Sequence, residues 1–431
     1  MALQPLAHYM YSTLPVGRSR SGLARSAPLT VQRLTGNTFV LVSLFPWLSF
    51  GLNTLDSQPW AALAAAVFLC TSIRVSVDVR LVRLLLLVPA AIVVGLVSDW
   101  PDLDFRFYRG VFGYASVPLL IIGYFIYIRR YGVPLTTIKA ANVVYLAVGA
   151  LQQVFGTAVT AGFTAIRTTA DRGMPSLAVE PTYFGMLLLF FSWIICVATD
   201  YRPKRSNAQL VVLNGLFLMF IARSSMAMLF LMIAIALAVV YRLRPKLLVI
   251  ILLTAVTVGV GYRMFLQQTR VGTLVRLMEA SGPLELIRQD ASVNMRVAHA
   301  VYPWHGAVAD FFTPHGFSSF ADVYYEIQSW YGGFFWYGEK TDVIMSYAGA
   351  FVFELGFIGV LFLAYLFHLV LRVNKLRFLE LVLLFALMNA ALPVLFPFIP
   401  LVVTLLYVSD REHPATRGGT TAVSELVPRP V

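Results

Sequence analysis

The chain has 431 residues, of which 59% are hydrophobic and 13% are charged. Soluble proteins carry about 25% charged residues. This composition, with a mean hydropathy of +0.76, therefore excludes a soluble globular protein and indicates a polytopic membrane protein. The net charge is +12, which in a membrane protein is typical of topology-setting loops and does not point to a nucleic acid partner. Cys70 and Cys196 lie within apolar stretches and indicate neither a disulfide framework nor a redox role.

Apolar stretches of about 20 residues predict membrane-spanning helices. The N-terminal tail, residues 1–36, is polar and basic and lacks the pattern of a cleavable signal. Residues 37–266 contain nine predicted spans, near 37–54, 59–73, 81–98, 109–128, 138–161, 180–199, 208–222, 225–241 and 247–266.

A long polar segment, residues 267–342, separates these spans from the rest of the membrane part, residues 343–408. One further span is predicted at 343–370. The last apolar block contains Leu392-Pro393 and Phe396-Pro397, and because proline interrupts a helix it predicts two short spans, 377–392 and 395–408. The prediction is an all-α protein with about twelve spans, or eleven with a broken final span, and a polar C-terminal tail at 409–431.

The distribution of Lys and Arg predicts the orientation. With the N-terminus in the cytoplasm, 22 of the 33 basic residues fall in cytoplasmic segments and five fall in the short outer loops. Both termini are then cytoplasmic, and the segment 267–342 is external.

The predicted outer side collects arginines and one well-placed carboxylate. Because proline favours the first turn of a helix, Glu180-Pro181 predicts that Glu180 lies at the outer mouth of the sixth span, and Arg223 lies in a very short turn at 222–225. The arginines on this side are Arg167, Arg172, Arg223, Arg263, Arg270 and Arg296. Their forked donors suit a phosphate or pyrophosphate head group. The alternative is ordinary ion pairing with Asp171, Glu180, Asp290 and Asp342, and Glu180 is either a base, a helix cap or a charge partner.

The long segment has a predicted helix that starts near Asp290 or Ser292, either of which can cap it, and ends at Tyr302 before Pro303. Part of the segment is predicted to lie on the membrane as an amphipathic helix. The aromatic stretch from Trp330 to Tyr337 can stack on sugar rings or form an interfacial belt, and both readings stay open. Its three histidines, His299, His305 and His315, have no metal-site spacing, and we expect no metal or cofactor.

Four motifs resemble the O-antigen polymerase (Wzy-type) family, within the wider O-antigen ligase superfamily of bacterial membrane polysaccharide polymerases. They are the span start Glu180-Pro181-Thr182-Tyr183-Phe184-Gly185, the turn Ala222-Arg223-Ser224-Ser225, Arg296 followed by Pro314-His315-Gly316-Phe317, and the span Glu354-Leu355-Gly356-Phe357-Ile358-Gly359. Their order and spacing cover residues 180–360.

The resemblance implies a metal-independent membrane glycosyltransferase with a GT-C-like architecture in the bacterial inner membrane. Such an enzyme polymerises oligosaccharide repeat units carried on undecaprenyl pyrophosphate at the periplasmic face, and a chain-length regulator protein is a further partner of such systems. Arginines stabilise the departing pyrophosphate and a base deprotonates the acceptor hydroxyl. The catalytic candidates are Glu180, Arg223, Arg296 and Asp342, and the substrate-binding candidates are Arg167, Arg172, Tyr183, Arg270, His315, Trp330 and Trp336.

The chain departs from the family pattern at two places. The loop Pro314-His315-Gly316-Phe317 is shortened and keeps one glycine, and no histidine precedes the span after the long segment, where ligases of this group carry one. The second departure favours a polymerase over the first alternative, an O-antigen ligase that transfers glycan to lipid A-core. The second alternative, a lipid-linked oligosaccharide flippase, predicts charges at mid-membrane and repeated halves, whereas the sequence has few charges at mid-span and no repeat.

Overall fold

The computed structural model describes residues 31–49, 58–72, 75–98, 105–168, 173–242, 270–317, 319–337, 343–371 and 375–409. Within these ranges the chain is all-helical, and its only β-type pairing is an isolated bridge between Ser346 and Ala391. The predicted all-α fold is therefore confirmed for the part of the chain that is described. The predicted span at 247–266 lies outside the described residues.

Within the described residues, eight helices precede the long polar segment. They are α1 Val31–Ser43, α2 Trp60–Thr71, α3 Val79–Ser98, α4 Phe105–Tyr131, α5 Leu135–Phe155, α6 Pro181–Ala198, α7 Arg205–Ala222 and α8 Ser225–Arg242. Helix α3 includes a 3₁₀ turn at Arg83–Leu86, and α7 ends in a π turn at Leu218–Ala222. The first helix is shorter than the predicted span 37–54, because the residues after Ser43 form turns around Pro46, which cannot donate a backbone hydrogen bond.

Five of the described helices, α3 to α7, are long and apolar enough to cross a membrane. Four shorter apolar helices, at Trp60–Thr71, Ser225–Val239, Gly356–Val370 and Phe398–Ser409, accompany them. Helix α4 is the longest of the five, and at 1.5 Å per residue its 27 residues extend about 40 Å. Helix α6 is the most centrally packed: its aromatic and aliphatic side chains from Phe184 to Ile195 are almost all buried in the main core.

The described part of the long segment contains three helices, α9 Arg270–Gln289, α10 Ala291–Ala309 and α11 Phe320–Ser329. Helix α9 is kinked at Gly282, and α10 is capped by Asp290, whose carboxylate accepts a 2.8 Å bond from the Val293 amide. The cap at Asp290 is as predicted. The predicted end at Tyr302 is wrong, because Pro303 lies inside α10 and the helix continues for six more residues.

Helix α11 has the pattern of an amphipathic helix, but its apolar face is already covered. Phe320, Tyr324 and Ile327 are buried in a second hydrophobic cluster, together with Tyr302 of α10 and Phe335 of the aromatic stretch. The cluster also includes Ile344, Ala350 and Phe353, so the long segment shares this core with the residues that follow it.

The C-terminal part contains α12 Tyr347–Glu354, α13 Gly356–Val370, α14 Lys375–Met388 and α15 Phe398–Ser409. The interruption predicted around Pro393 and Pro397 is present between α14 and α15. The single predicted span 343–370 is instead broken at Leu355. Gly356 follows with a φ of +58°, a conformation that residues with a Cβ rarely adopt, and the backbone of Phe312 lies against it.

Candidate functional site

The mouth of α6 is built around Glu180. Its backbone is extended, at φ −138° and ψ 153°, and Pro181 opens the helix at the first helical position. The Glu180 side chain makes no capping hydrogen bond. Its Oε2 instead lies 3.3 Å from Nη2 of Arg296, 116 residues further along the chain. Glu180 is therefore paired with Arg296 and does not cap the helix.

Arg296 reaches this mouth from α10. The same Nη2 that faces Glu180 donates a 2.9 Å hydrogen bond to Oγ1 of Thr182, which is buried in the first turn of α6. The Arg296 side chain is 14% exposed and that of Glu180 is 24% exposed. The guanidinium is thus fixed by two oxygens of α6, while the carboxylate keeps access to solvent. Among the described residues Glu180 Oε1 has no hydrogen-bond partner.

Arg223 lies in the turn between α7 and α8. Its φ of +48° is left-handed, which lets the chain reverse directly from the π turn into α8. The turn packs on α6, since a Cβ at Gly185 would lie 2.9 Å from Cβ of Ser224. The Arg223 Nε donates to the Phe220 carbonyl at 3.1 Å. The described contacts therefore bring the turn, and not the guanidinium, against the first turns of α6.

The loop before α6 is tied to the same place. The Arg167 amide donates to the carbonyl of Val179, the residue before Glu180, at 2.7 Å. At the other end of the loop, the Met174 amide donates to the carbonyl of Ile221 at 2.8 Å. The loop thus joins the α7–α8 turn to the start of α6, and the Arg167 side chain is exposed. Arg172 and Asp342 lie outside the described residues, and of Arg270 only the backbone, at the start of α9, is described.

Tyr183 and His315, two predicted substrate-binding residues, are engaged in packing. The Tyr183 ring lies 5.2 Å from the ring of Trp47, which is itself buried. The His315 ring stacks on Phe353 at 4.1 Å, with Nε2 at 2.8 Å from Asp310 Oδ2 and Nδ1 at 3.2 Å from the Phe353 carbonyl. The described contacts of His315 connect its loop to α12 and do not bring it to Glu180.

The aromatic stretch divides into a buried and an exposed half. Phe335 is buried in the second cluster, while Trp330 and Trp336 are about half exposed. Trp330 packs on His305, with ring centroids 4.8 Å apart, and the Trp336 indole N–H donates to the Arg288 carbonyl. These two tryptophans form an aromatic edge on the long segment, and no described contact joins them to the Glu180–Arg296 pair.

Asn294 and Thr182 are site-forming residues that sequence reasoning missed. Asn294 is fully buried, and its amide donates to the carbonyls of Ile287 and Phe334 and accepts from the amides of Trp336 and Tyr337. It fixes the aromatic stretch to α10, the helix that carries Arg296. Thr182 lies within the motif at the start of α6, but a threonine in an apolar helix gives no signal of its partner. A lone asparagine near the start of a helix gives equally little indication of the groups that it bonds.

His299 is buried on α10 between the rings of Phe320 and Tyr324. Burial lowers its pKa to about 4, because no charged group compensates for the loss of water. Among the described residues, its Nδ1 has no hydrogen-bond partner. This histidine is therefore a neutral core residue.

Fold and site together define an all-helical protein with candidate membrane-spanning helices and a carboxylate–guanidinium pair at the mouth of one of them. Among the described residues, no group of three His, Cys, Asp or Glu side chains is placed to hold a metal ion. No protein-family model matches the chain, and no curated protein is significantly similar to it.

Proposed function

We propose that this protein is a bacterial inner-membrane glycosyltransferase that polymerises undecaprenyl-pyrophosphate-linked oligosaccharide repeat units at the periplasmic face. The observation that carries the proposal is the meeting of Glu180, Thr182 and Arg296 at the mouth of α6. Two motifs of the resemblance, more than a hundred residues apart, supply a base and a cation to one place. The proposed architecture has about twelve spans in a GT-C-like arrangement, with both termini in the cytoplasm.

In the proposed reaction, the acceptor sugar hydroxyl attacks the anomeric carbon of the donor chain. The bond between that carbon and the lipid pyrophosphate breaks, and the electron pair leaves with the pyrophosphate. Glu180 takes the proton of the hydroxyl, since its side chain is 24% exposed and only its Oε2 is bonded among the described residues. No external oxidant or further reactant is needed.

The arginines act on the leaving group in this proposal. Arg296 is held in one orientation by Thr182 and Glu180, and a pre-oriented guanidinium stabilises developing charge without reorganising in the transition state. Arg223 is exposed on the adjacent turn and bonds only a backbone carbonyl with its Nε. Its remaining donors suit the outer phosphate of the lipid carrier.

The test uses purified protein in lipid vesicles with the undecaprenyl-pyrophosphate-linked repeat unit as the only substrate. A ladder of longer glycans supports the proposal, and Arg296→Lys should remove the ladder while Arg288→Lys, an exposed arginine of α9, should keep it. A product that forms only when lipid A-core is added would replace the polymerase with a ligase. Movement of the lipid across the bilayer without a new glycosidic bond would replace it with a flippase.

A further inference from the structure

The corner between α10 and α11, residues 308–317, holds two phenylalanines in an unusual backbone conformation. Phe311 and Phe312 have φ values of +53° and +59°, a region that bulky residues rarely adopt. Phe311 is also 91% exposed, although it is one of the largest apolar side chains of the long segment. Such a conformation persists only where the surroundings hold it.

Backbone hydrogen bonds fasten the corner to the break between α12 and α13. The Phe312 carbonyl accepts from the amide of Phe357 at 2.8 Å, and the Gly316 amide donates to the carbonyl of Glu354 at 3.1 Å. A Cβ on Gly356 would lie 2.3 Å from the Phe312 oxygen, so the glycine is what lets the two backbones meet. The corner therefore lies at the depth of the break.

The break lies well below the outer end of this span. From Gly356 to Val370 the helix α13 has 15 residues, which is about 22 Å, whereas the hydrocarbon core is about 30 Å thick. The sequence turns basic directly after Leu371, with Arg372 and Lys375, which sets the inner border there. Phe357 then lies roughly 8–10 Å beneath the outer border of the hydrocarbon core.

The exposed side chains at the corner continue the lipid-facing surface of α13. Phe357 and Leu361 are exposed one turn apart on this apolar helix, and Val308 is exposed on the corner beside Phe311. Irregular backbone is tolerated at such a depth only where its polar groups are bonded, and at this corner the Phe312 carbonyl and the amides of residues 310–313, 315 and 316 are bonded within the protein. With both residues in the left-handed conformation, Phe312 packs against the main core while Phe311 is exposed.

We propose that residues 308–317 form a re-entrant corner that enters the outer leaflet, with Phe311 in contact with lipid acyl chains. The long segment is then anchored in the bilayer at this corner and is not wholly external. The proposal does not depend on the glycosyltransferase reaction.

The test is the membrane depth of a nitroxide spin label at Phe311→Cys, in full-length protein with Cys70→Ala and Cys196→Ala. The protein is placed in phosphatidylcholine–phosphatidylglycerol vesicles, and collisions with oxygen and with a water-soluble nickel chelate are measured. The matched controls are Leu361→Cys on the exposed face of α13 and Gln289→Cys on the exposed end of α9. We expect the label at 311 to match the lipid-facing control, with oxygen collisions several times more frequent than nickel collisions.

Nickel collisions at 311 as frequent as at Gln289→Cys would overturn the proposal. If Phe311→Cys does not accumulate, Val308→Cys reports on the same corner and decides in the same way. The glycosyltransferase assay reads a different property, so either proposal can fail while the other stands.

Discussion

Two ion pairs lie at opposite ends of α6 and differ in how completely their carboxylates are enclosed. At the start of α6, on the side predicted to be external, Glu180 meets Arg296, and Glu180 keeps 24% of its side chain exposed. At the other end Glu380 meets Arg377 at 2.6 Å and is 4% exposed. Both oxygens of Glu380 are occupied, because Oε1 also accepts from the hydroxyl of Tyr201. The second pair, on the side predicted to be cytoplasmic and called here the inner pair, is closed and joins helices, while the first, the outer pair, is partly open to solvent.

The length of α6 explains why one helix can serve both ends. Glu180 precedes its first residue and Tyr201 follows its last by three positions, and its 18 residues extend about 27 Å. The inner pair also holds α15, since Nη2 of Arg377 donates to Ser409 at 2.8 Å. The enclosed pair thus fixes the position of the helix that presents the open one.

The largest expected effect separates activity from stability at the outer pair. Glu180→Gln keeps the shape of the side chain and removes the base, so we expect glycan polymerisation to fall roughly 10²- to 10⁴-fold. The melting temperature should change little, since a partly exposed pair contributes about 0–1 kcal/mol. Turnover and thermal unfolding are measured on the same preparation. Glu285→Gln on α9 is the control, and equal losses in both variants would remove Glu180 from the site.

The second expected effect is a loss of stability, at the Glu380–Arg377 pair. Arg377→Met leaves Glu380 buried without its cation, which costs on the order of 3–5 kcal/mol of unfolding free energy. The double variant Arg377→Met/Glu380→Met should recover much of that loss, because no uncompensated charge remains. Denaturant unfolding in detergent gives both values. A single variant as stable as the wild type would show that the inner pair is not structural.

His299 provides a third case, a titratable group that is buried with no charged partner. Its pKa is lowered to about 4 in the folded protein, while the unfolded chain binds the proton below pH 6.5. Its neutral form therefore stabilises the fold fully above pH 6.5, and that contribution is lost as the pH falls toward 4, by about 3 kcal/mol in all. His299→Phe should flatten this part of the stability profile. Identical slopes for variant and wild type would contradict a neutral buried His299.

The smallest expected effect concerns the support of Arg296. Thr182→Val removes the hydroxyl that accepts from Nη2 and keeps the shape of the side chain. Since a hydrogen bond to a charged group contributes about 1.5–3 kcal/mol, we expect turnover to fall roughly tenfold, with substrate affinity less affected. Thr182→Ser, which keeps the hydroxyl, is the matched control. A Thr182→Val enzyme with wild-type turnover would leave Thr182 as a packing residue.

Local signals in the sequence were sufficient to predict several parts of the structure. Pro181 marked the start of α6, Asp290 marked the cap of α10, and the two prolines after α14 marked the last interruption. Each depends on backbone chemistry within one or two turns, which a sequence displays directly.

Other features depend on contacts between distant residues and were not predictable. The break at Leu355 exists because the corner backbone docks against Gly356, and the sequence gives no sign of which loop would do so. The Glu180–Arg296 pair was one of several pairings open to the outer arginines, and the fold selects it by bringing the Arg296 side chain of α10 to the mouth of α6. The partners of Thr182 and Asn294 became visible only in the folded structure, where Thr182 bonds Arg296 and Asn294 bonds the aromatic stretch.

The central claim is that Glu180 and Arg296 act as one site, and a double-mutant cycle on turnover tests it most directly. Polymerisation rates are measured for wild type, Glu180→Gln, Arg296→Gln and the double variant in the same vesicles. We expect the double variant to be no slower than the slower single variant, because groups that act as a unit are strongly non-additive. Independent losses that multiply in the double variant would contradict a shared site.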